Sequence, residues 1–408
     1  MVNYDYLYNK EYYGDDLNKN YISNKKLGCR IISNGIVLPH KQQVPGHDML
    51  GGGGVVDNTG KYIEGTFLHD NPSREYKPAS IRYSNETVIY IGMFVAIWGH
   101  CLTDNIKRLW FLKSDIYKKY FNGYKLIYIP MWNFDFETNA KNFKRLLQIW
   151  NIDFDNFKSI TEAIQYKNII IPDVSFGGSL GDENNVNAMF TNEYKETINY
   201  IRQFALQNYL PNMSFKKLYF MHGRKQIGEE LIAQYFNSKG YTLVFPERLT
   251  FEEQLNILVN FESFASTAGS CSHNMIFLRE NTEVILIPRG AYLTGYQEIL
   301  NQLFSLNITY IDSTLSLFVN NLAQDGPFFY FVSDKLKKYF GDCDEDVYHY
   351  TEADFKMFIK YFKYSMSQGL KFNHEYMKYY VEVFNNFLDQ LKQQRTLLQE
   401  EKFHINKL

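Results

Sequence analysis

The stretch Phe264–Pro288, FASTAGSCSHNMIFLRENTEVILIP, decides the fold. Two apolar segments, Ser263–Thr267 and Glu283–Pro288, have the length and β-branched content of buried strands. Between them, Cys271–Arg279 carries helical spacing. Strand, helix and strand this close together form a crossover unit, and crossover units build parallel sheets. The row from Ala265 to Ser272 is made of residues too small to fill a core, in a chain with 33 Tyr and 33 Phe. Small residues let something approach the backbone.

The pattern extends outward on both sides. Further strands are predicted at 216–222, 242–246 and 308–312, with helices over Glu229–Ser238, Thr250–Asn260 and Gly295–Phe304. Thr250 is an N-cap with Glu253 at the capping-box position. In the first half, strands fall at 87–92, 125–130, 157–160 and 168–172. Helices are predicted near 100–113, 137–150 and 192–208. Leu27–Leu38 reads as a strand pair or a bent strand, and residues 1–25 as irregular. The four glycines at 51–54 are followed by a strand, a turn at Asn58–Gly60 and a strand. That is a hairpin with a flexible loop leading in, since a phosphate-cradling loop leads into a helix. The tail from Ser333 is helical, with a long amphipathic helix over His374–Gln399. The expectation is an α/β chain of two Rossmann-like halves facing a cleft. Residues 1–190 form the first, 191–320 the second, and 321–408 are helices packing back on both. The glycine-rich run 175–185 is a candidate loop at the boundary. In such sheets ligands sit at the carboxyl ends of the strands.

Totals narrow the function. A chain of 408 residues with 45% hydrophobic composition suits two domains. The net charge of −2, with both signs mixed, argues against nucleic acid as the main partner. The aromatic excess fits coding bias in an AT-rich genome and by itself implies no ligand stacking. Cys29, Cys101, Cys271 and Cys343 lie far apart, giving neither a zinc framework nor a disulfide scaffold. The polar, acidic N-terminus is unlike a signal peptide, and no apolar run reaches the roughly 20 residues of a membrane span. A cytoplasmic protein is expected, so the N-x-S/T sites at Asn85, Asn212 and Asn307 carry no weight.

Two segments carry chemistry. In IWGHCLTDNIKRLWFL, a helix starting near His100 buries Leu102, Ile106, Leu109 and Trp110. It stacks His100, Asp104 and Arg108 along another face at i, i+4, i+8. A first-turn histidine favours a neutral ring that acts as a base, and Asp104 would hold it. The same pair also serves as an ordinary capping and surface pair. The second segment is assembled from three places. The strand at 216–222 delivers Arg224 and Lys225, which suit a diphosphate, Lys225 serving equally as a solvated basic turn. Ser263–Thr267 delivers Gly269, Ser270, Cys271 and Ser272 at a helix N-terminus, an anion seat or a close helix–sheet junction. Glu252 and Glu253 offer carboxylates for ribose hydroxyls, or a capping partner for Thr250.

Together these residues resemble glycosyltransferase family 61. Three blocks carry the resemblance: GHCLTDNIKRLWFL, FPERLTFEEQLNIL and STAGSCSHNMIFLRENTEVILIPR. The chain departs from the family pattern at its AGS junction and at Asn281. The resemblance implies a GT-B-type fold and inverting transfer from a nucleotide-sugar, with UDP-sugar expected, without an essential metal or cofactor. It places His100 and Asp104 on the catalytic side, either one being the base. It carries Arg224, Glu253, Gly269, Ser270 and Asn274 over to the donor side, and Arg108, Lys225, Glu252, Cys271, Ser272 and His273 complete the substrate- or donor-binding candidates. Asp-x-Asp pairs at Asp153/Asp155 and Asp342/Asp344 follow no apolar strand and are set aside as metal sites. The expected acceptor is a bacterial surface glycan, free or lipid-linked, with peripheral contact to the inner membrane face and an oligomer both compatible. The alternatives are a nucleotide-sugar epimerase or hydrolase, or a non-catalytic glycan- or nucleotide-binding subunit.

Overall fold

The structure, a computed structural model, describes residues 2–7, 19–41, 51–68, 76–131, 140–209, 216–222, 226–289, 295–314 and 328–342. The chain opens with β1 (Val2–Tyr6). A mixed sheet follows, built from β2 (Cys29–Ser33), β3 (Ile36–Lys41), β4 (Gly52–Val56), β5 (Arg82–Phe94), β6 (Lys125–Pro130), β7 (Phe157–Ser159) and β8 (Ile164–Pro172). Its order is β4–β3–β8–β5–β6–β7, with β2 also paired to β8. The pairs β8–β5, β5–β6 and β6–β7 are parallel, while β2 and β3 run antiparallel to β8. The segment Leu27–Leu38 is thus a bent strand, both parts lying along the same partner. The glycines at 51–54 are themselves largely strand: β4 pairs with β3 and turns at Asn58–Gly60 toward Tyr62. The hairpin holds; the flexible leading loop is replaced at Gly52–Gly54 by strand.

The second sheet is parallel throughout. It contains β9 (Lys217–Phe220), β10 (Thr242–Val244), β11 (Ser263–Thr267), β12 (Glu283–Ile287) and β13 (Asn307–Ile311), in the order β1–β13–β12–β11–β9–β10. The first residues are therefore not irregular. Val2 pairs with Ile308, so the chain starts as an edge strand of the second sheet.

Helices α1 (Trp98–Cys101), α2 (Lys141–Ile149), α3 (Asn192–Asn208), α4 (Glu229–Ser238), α5 (Phe251–Leu258), α6 (Gly295–Asn301) and α7 (Asp334–Tyr339) lie among the described residues. One apolar cluster takes Ile89, Phe94 and Leu102 from around the first sheet and Phe264, Met275 and Leu286 from around the second, with Ile198 and Ile201 of α3. The mixed sheet buries its other face in a separate cluster around Val88, Tyr90 and Ile169. A helix on one face of a strand and strand residues alternating to the other give this two-sided burial. The expected C-terminal helices beyond Asp342 lie outside the described residues.

Candidate active site

The segment after β5 does not form the long helix its spacing suggests. One turn of α-helix is followed by irregular turns to Arg108 and a 3-10 stretch at Leu109–Lys113. Local side chains compete for the backbone here. Thr103 Oγ1 donates to the Gly99 carbonyl at 3.1 Å, and the Asn105 amide holds both the N–H and the carbonyl of Val95, at 3.0 and 2.9 Å. The Asn105 N–H also reaches back five residues to the His100 carbonyl. No helix dipole of any length acts on His100.

His100 and Asp104 nevertheless meet, with Nδ1 to Oδ2 at 2.7 Å. Asp104 is 1% exposed, while the His100 side chain keeps 14% of its surface exposed. Thr103 Oγ1 lies 3.2 Å from the same carboxylate oxygen, and Tyr296 Oη and Lys107 Nζ lie 3.5 and 3.9 Å from the other. A buried carboxylate surrounded by donors holds the imidazole with Nδ1 protonated and leaves Nε2 as the accepting nitrogen. Arg108 does not join this face. It is buried, donating through Nε to the Pro172 carbonyl at 3.0 Å and also to the Gly65 carbonyl, with its charge over the Tyr90 ring.

The segment after β11 is tighter than an α-helix. Ser272–Phe277 is a 3-10 stretch, and the N–H groups of His273 and Asn274 close onto the carbonyls of Gly269 and Cys271. Ser272 Oγ accepts the Gly269 N–H at 2.8 Å and lies against Gln297, so this hydroxyl holds the loop shut. The amides of Gly269, His273 and Asn274 are thus taken up within the loop, and the small residues begin a 3-10 stretch rather than an α-helix. A Cβ on Gly269, whose φ is +131°, would fall inside the guanidinium of Arg289. The space left by the small side chains is filled by a positive charge.

The two segments touch. A Cβ on Gly99 would lie 2.9 Å from Ser270 Oγ and 3.2 Å from His273 Nδ1. Trp98 Nε1 donates to Asn274 Oδ1 at 2.9 Å, and the Asn274 amide donates back to the Cys271 carbonyl at 3.0 Å. His273 sits between Arg289 and His100. Burial first, then the Arg289 charge and His100, pushes it down to about 3, so it is neutral. Burial pushes the Cys101 and Cys271 thiols up, which leaves both unreactive.

A cleft of about 800 Å³ opens beside this contact. Trp98, Asn142, His222, Pro246, Ser270 and Asn274 are among its walls. These residues follow the carboxyl ends of β5, β9, β10 and β11 or begin α2, where a parallel sheet places its ligands. Glu253 closes a complete capping box with Thr250, and Glu252 pairs with Arg145 of α2. Neither carboxylate is among the described walls of the cleft. Arg224 and Lys225 lie outside the described residues. Asp153 caps a 3-10 turn by accepting the Asp155 N–H, and Asp342 pairs with Lys239 and with Tyr235 at 2.6 Å. None of these aspartates lines the cleft.

Sequence reading missed Trp98, His222, Glu229 and Arg289. Arg289 was open to detection by the rule already in use, because it directly follows the β12 segment. Glu229 is 3% exposed at the first turn of α4 and accepts the His222 N–H at 3.0 Å. Burial pushes its carboxyl up to about 8.

Residues 98–285 match the family model for Glycosyltransferase 61, from Trp98 at the contact to the middle of β12. This segment belongs to glycosyltransferase family 61. Both touching segments fall inside the match, so the contact of Gly99 with Ser270 and His273 is internal to the glycosyltransferase region. Among curated proteins, no significant match to the chain was found. No described helix is long and apolar enough to cross a membrane.

Proposed function

We propose that this glycosyltransferase inverts the anomeric carbon of a nucleotide-sugar, a UDP-sugar above others, by transfer to a hydroxyl of a growing bacterial surface glycan. The observation that carries the reading is the junction at Gly99, which sets the His100–Asp104 pair against the loop holding Arg289. His100 Nε2 takes the proton of the acceptor hydroxyl, with Asp104 orienting the ring and balancing its charge. The oxygen forms its bond to the anomeric carbon as the bond to the diphosphate breaks on the opposite side. Arg289 meets the charge that develops on the leaving group, joined by Arg224. No metal ion or other cofactor is invoked. In this reading the mixed sheet side presents the acceptor, and the parallel sheet, with Val2–Tyr6 at its edge, presents the donor. The protein works in the cytoplasm, touching the membrane face where a lipid-linked acceptor requires it.

The test is a thermal-shift screen against UDP-, GDP-, CMP- and dTDP-sugars, each with and without EDTA. Ligand at about 100 times its dissociation constant adds about 2.7 kcal/mol. Stabilisation by one nucleotide class, unchanged by EDTA, is expected. No shift with any of them sinks the donor assignment, and a shift abolished by EDTA sinks metal independence.

A further inference from the structure

We propose that Gln254 reads the base of the nucleotide-sugar donor: its side-chain oxygen accepts the N–H on the pairing edge of the base, N3–H in uracil. The inference rests on the nucleotide-sugar reading above and deepens it by assigning the residue that selects the base.

Gln254 lies on α5, forms part of the cleft wall and is 3% exposed. Its amide is fixed in one orientation. Nε2 donates to the Pro246 carbonyl at 2.9 Å and lies 3.2 Å from the Leu249 carbonyl. Turning the amide over would set its oxygen against two carbonyl oxygens, so the neighbours decide which end is which. Oε1 is then left as an acceptor, and it has no hydrogen-bond partner among the described residues. Buried amide oxygens are nearly always satisfied, and one left open on a cleft wall calls for a donor from the ligand. The frame around it is braced. The Asn142 amide of α2 reaches the Leu249 carbonyl at 3.4 Å, and the N–H groups of Arg248 and Leu249 close onto the carbonyls of Phe245 and Pro246.

Its place favours the base over the sugar. Ser270, at the contact with Gly99, follows β11, whereas Pro246 and Leu249 follow β10. In the sheet β9 separates β10 from β11, so two strand spacings, about 10 Å, lie between the two ends of the cleft. A diphosphate and a ribose hold the reacting carbon of a nucleotide-sugar apart from its base. With the sugar at the His100–Asp104 pair, the base falls at the β10 end. There a fixed acceptor discriminates. Uracil and thymine carry N3–H, and guanine N1–H, at the centre of the pairing edge, where cytosine and adenine carry a bare ring nitrogen. An oxygen that cannot donate meets the first three and repels the other two.

Isothermal calorimetry with UDP, dTDP, GDP, CDP and ADP tests this on the whole chain. One of the first three is expected to bind at least about tenfold tighter than CDP and ADP, which would leave two acceptors face to face. Its ring-methylated analogue, N3-methyl for UDP or dTDP and N1-methyl for GDP, keeps the ribose and diphosphate but lacks the N–H. The wild type should bind that analogue at least about tenfold more weakly. Gln254→Ala opens room for the methyl group and should bring the two affinities to within about threefold of each other. Arg289→Gln should weaken both by the same factor and leave their ratio as in the wild type. A glutamine that only braced the loop after β10 would change affinity without changing that ratio. If no nucleotide binds the wild type, the donor reading falls and takes this inference with it. If CDP or ADP binds best, if methylation makes no difference, or if the ratio survives in Gln254→Ala, this inference alone is overturned. Should the variant fail to fold, a crystal structure of the wild type with the nucleotide decides. The ring nitrogen is expected about 2.9 Å from Gln254 Oε1, and a base seated elsewhere overturns the assignment.

Discussion

Asp104, after β5, and Glu229, at the start of α4, are both carboxyl groups removed from water, 1% and 3% exposed. Their surroundings differ. Asp104 is ringed by donors: the His100 ring, the Thr103 hydroxyl, the Tyr296 hydroxyl and the Lys107 ammonium. Glu229 accepts a backbone N–H from His222, and burial raises its proton affinity more than that bond and the Arg289 charge lower it. The cost of burying a carboxylate is offset by the donors around it, and the two groups differ in how many they have. Asp104 has the partners that orient the His100 ring. Glu229 keeps a proton near neutrality.

The largest expected effect breaks the Asp104 side of this comparison. His100→Ala should lower the transfer rate by about 10³-fold, within the usual range for loss of a general base. Asp104→Asn should cost nearly as much, and the double variant little more than either, because the pair acts as a unit. Single-turnover rates on folded variants check this; additive losses would mean the two act separately. Next in size is Arg108→Met, which leaves the carbonyls of Pro172 and Gly65 without the guanidinium. Urea unfolding should show a loss of about 3 kcal/mol. Activity per folded molecule should stay at the wild-type level, in contrast to Arg289→Gln. A selective loss of activity would return Arg108 to the site.

Gly269→Ala sharpens the other side through Arg289, whose charge lowers the proton affinity of Glu229. The methyl group needs the place of the Arg289 guanidinium, at a φ of +131° that L side chains rarely adopt. A destabilisation of about 1–3 kcal/mol is expected. Affinity for nucleoside diphosphates should fall along with it. If affinity survives the displaced arginine, Arg289 does not hold the anion.

The second sheet was legible because each unit carries its own signals. Ser263–Thr267, Glu229–Ser238 and the Thr250–Glu253 box stand where spacing and capping chemistry placed them. The His100–Asp104 pairing was legible too, since a single turn suffices to bring i and i+4 together. Three things were not. Val2–Tyr6 has no local partner; only pairing with Asn307–Ile311, at the other end of the sheet, makes it a strand. The helix after His100 fails because Thr103 and Asn105 bond to the backbone, a competition that hydrophobic spacing does not register. The row of small residues announced that something comes close to Gly269. The identity of that group, a side chain at the end of the next strand, required the crossover to be folded.

The smallest expected effect tests how a carboxylate at a cleft edge is assigned. Glu253 follows Thr250, a wall residue, and on sequence alone it suits a ribose as well as a helix cap. In the structure its Oε2 accepts the Thr250 N–H at 2.8 Å and lies 2.9 Å from the Thr250 hydroxyl. Those hydrogen bonds hold its carboxyl below the usual range. Glutamine makes the same return hydrogen bond in a capping box. Glu253→Gln should therefore leave both the melting temperature and nucleotide affinity close to wild type. A carboxylate gripping ribose hydroxyls behaves otherwise, because losing a charge-assisted hydrogen bond costs about tenfold or more in affinity. The same titration that measures Arg289→Gln decides between them, and a tenfold loss would move Glu253 from the helix to the donor.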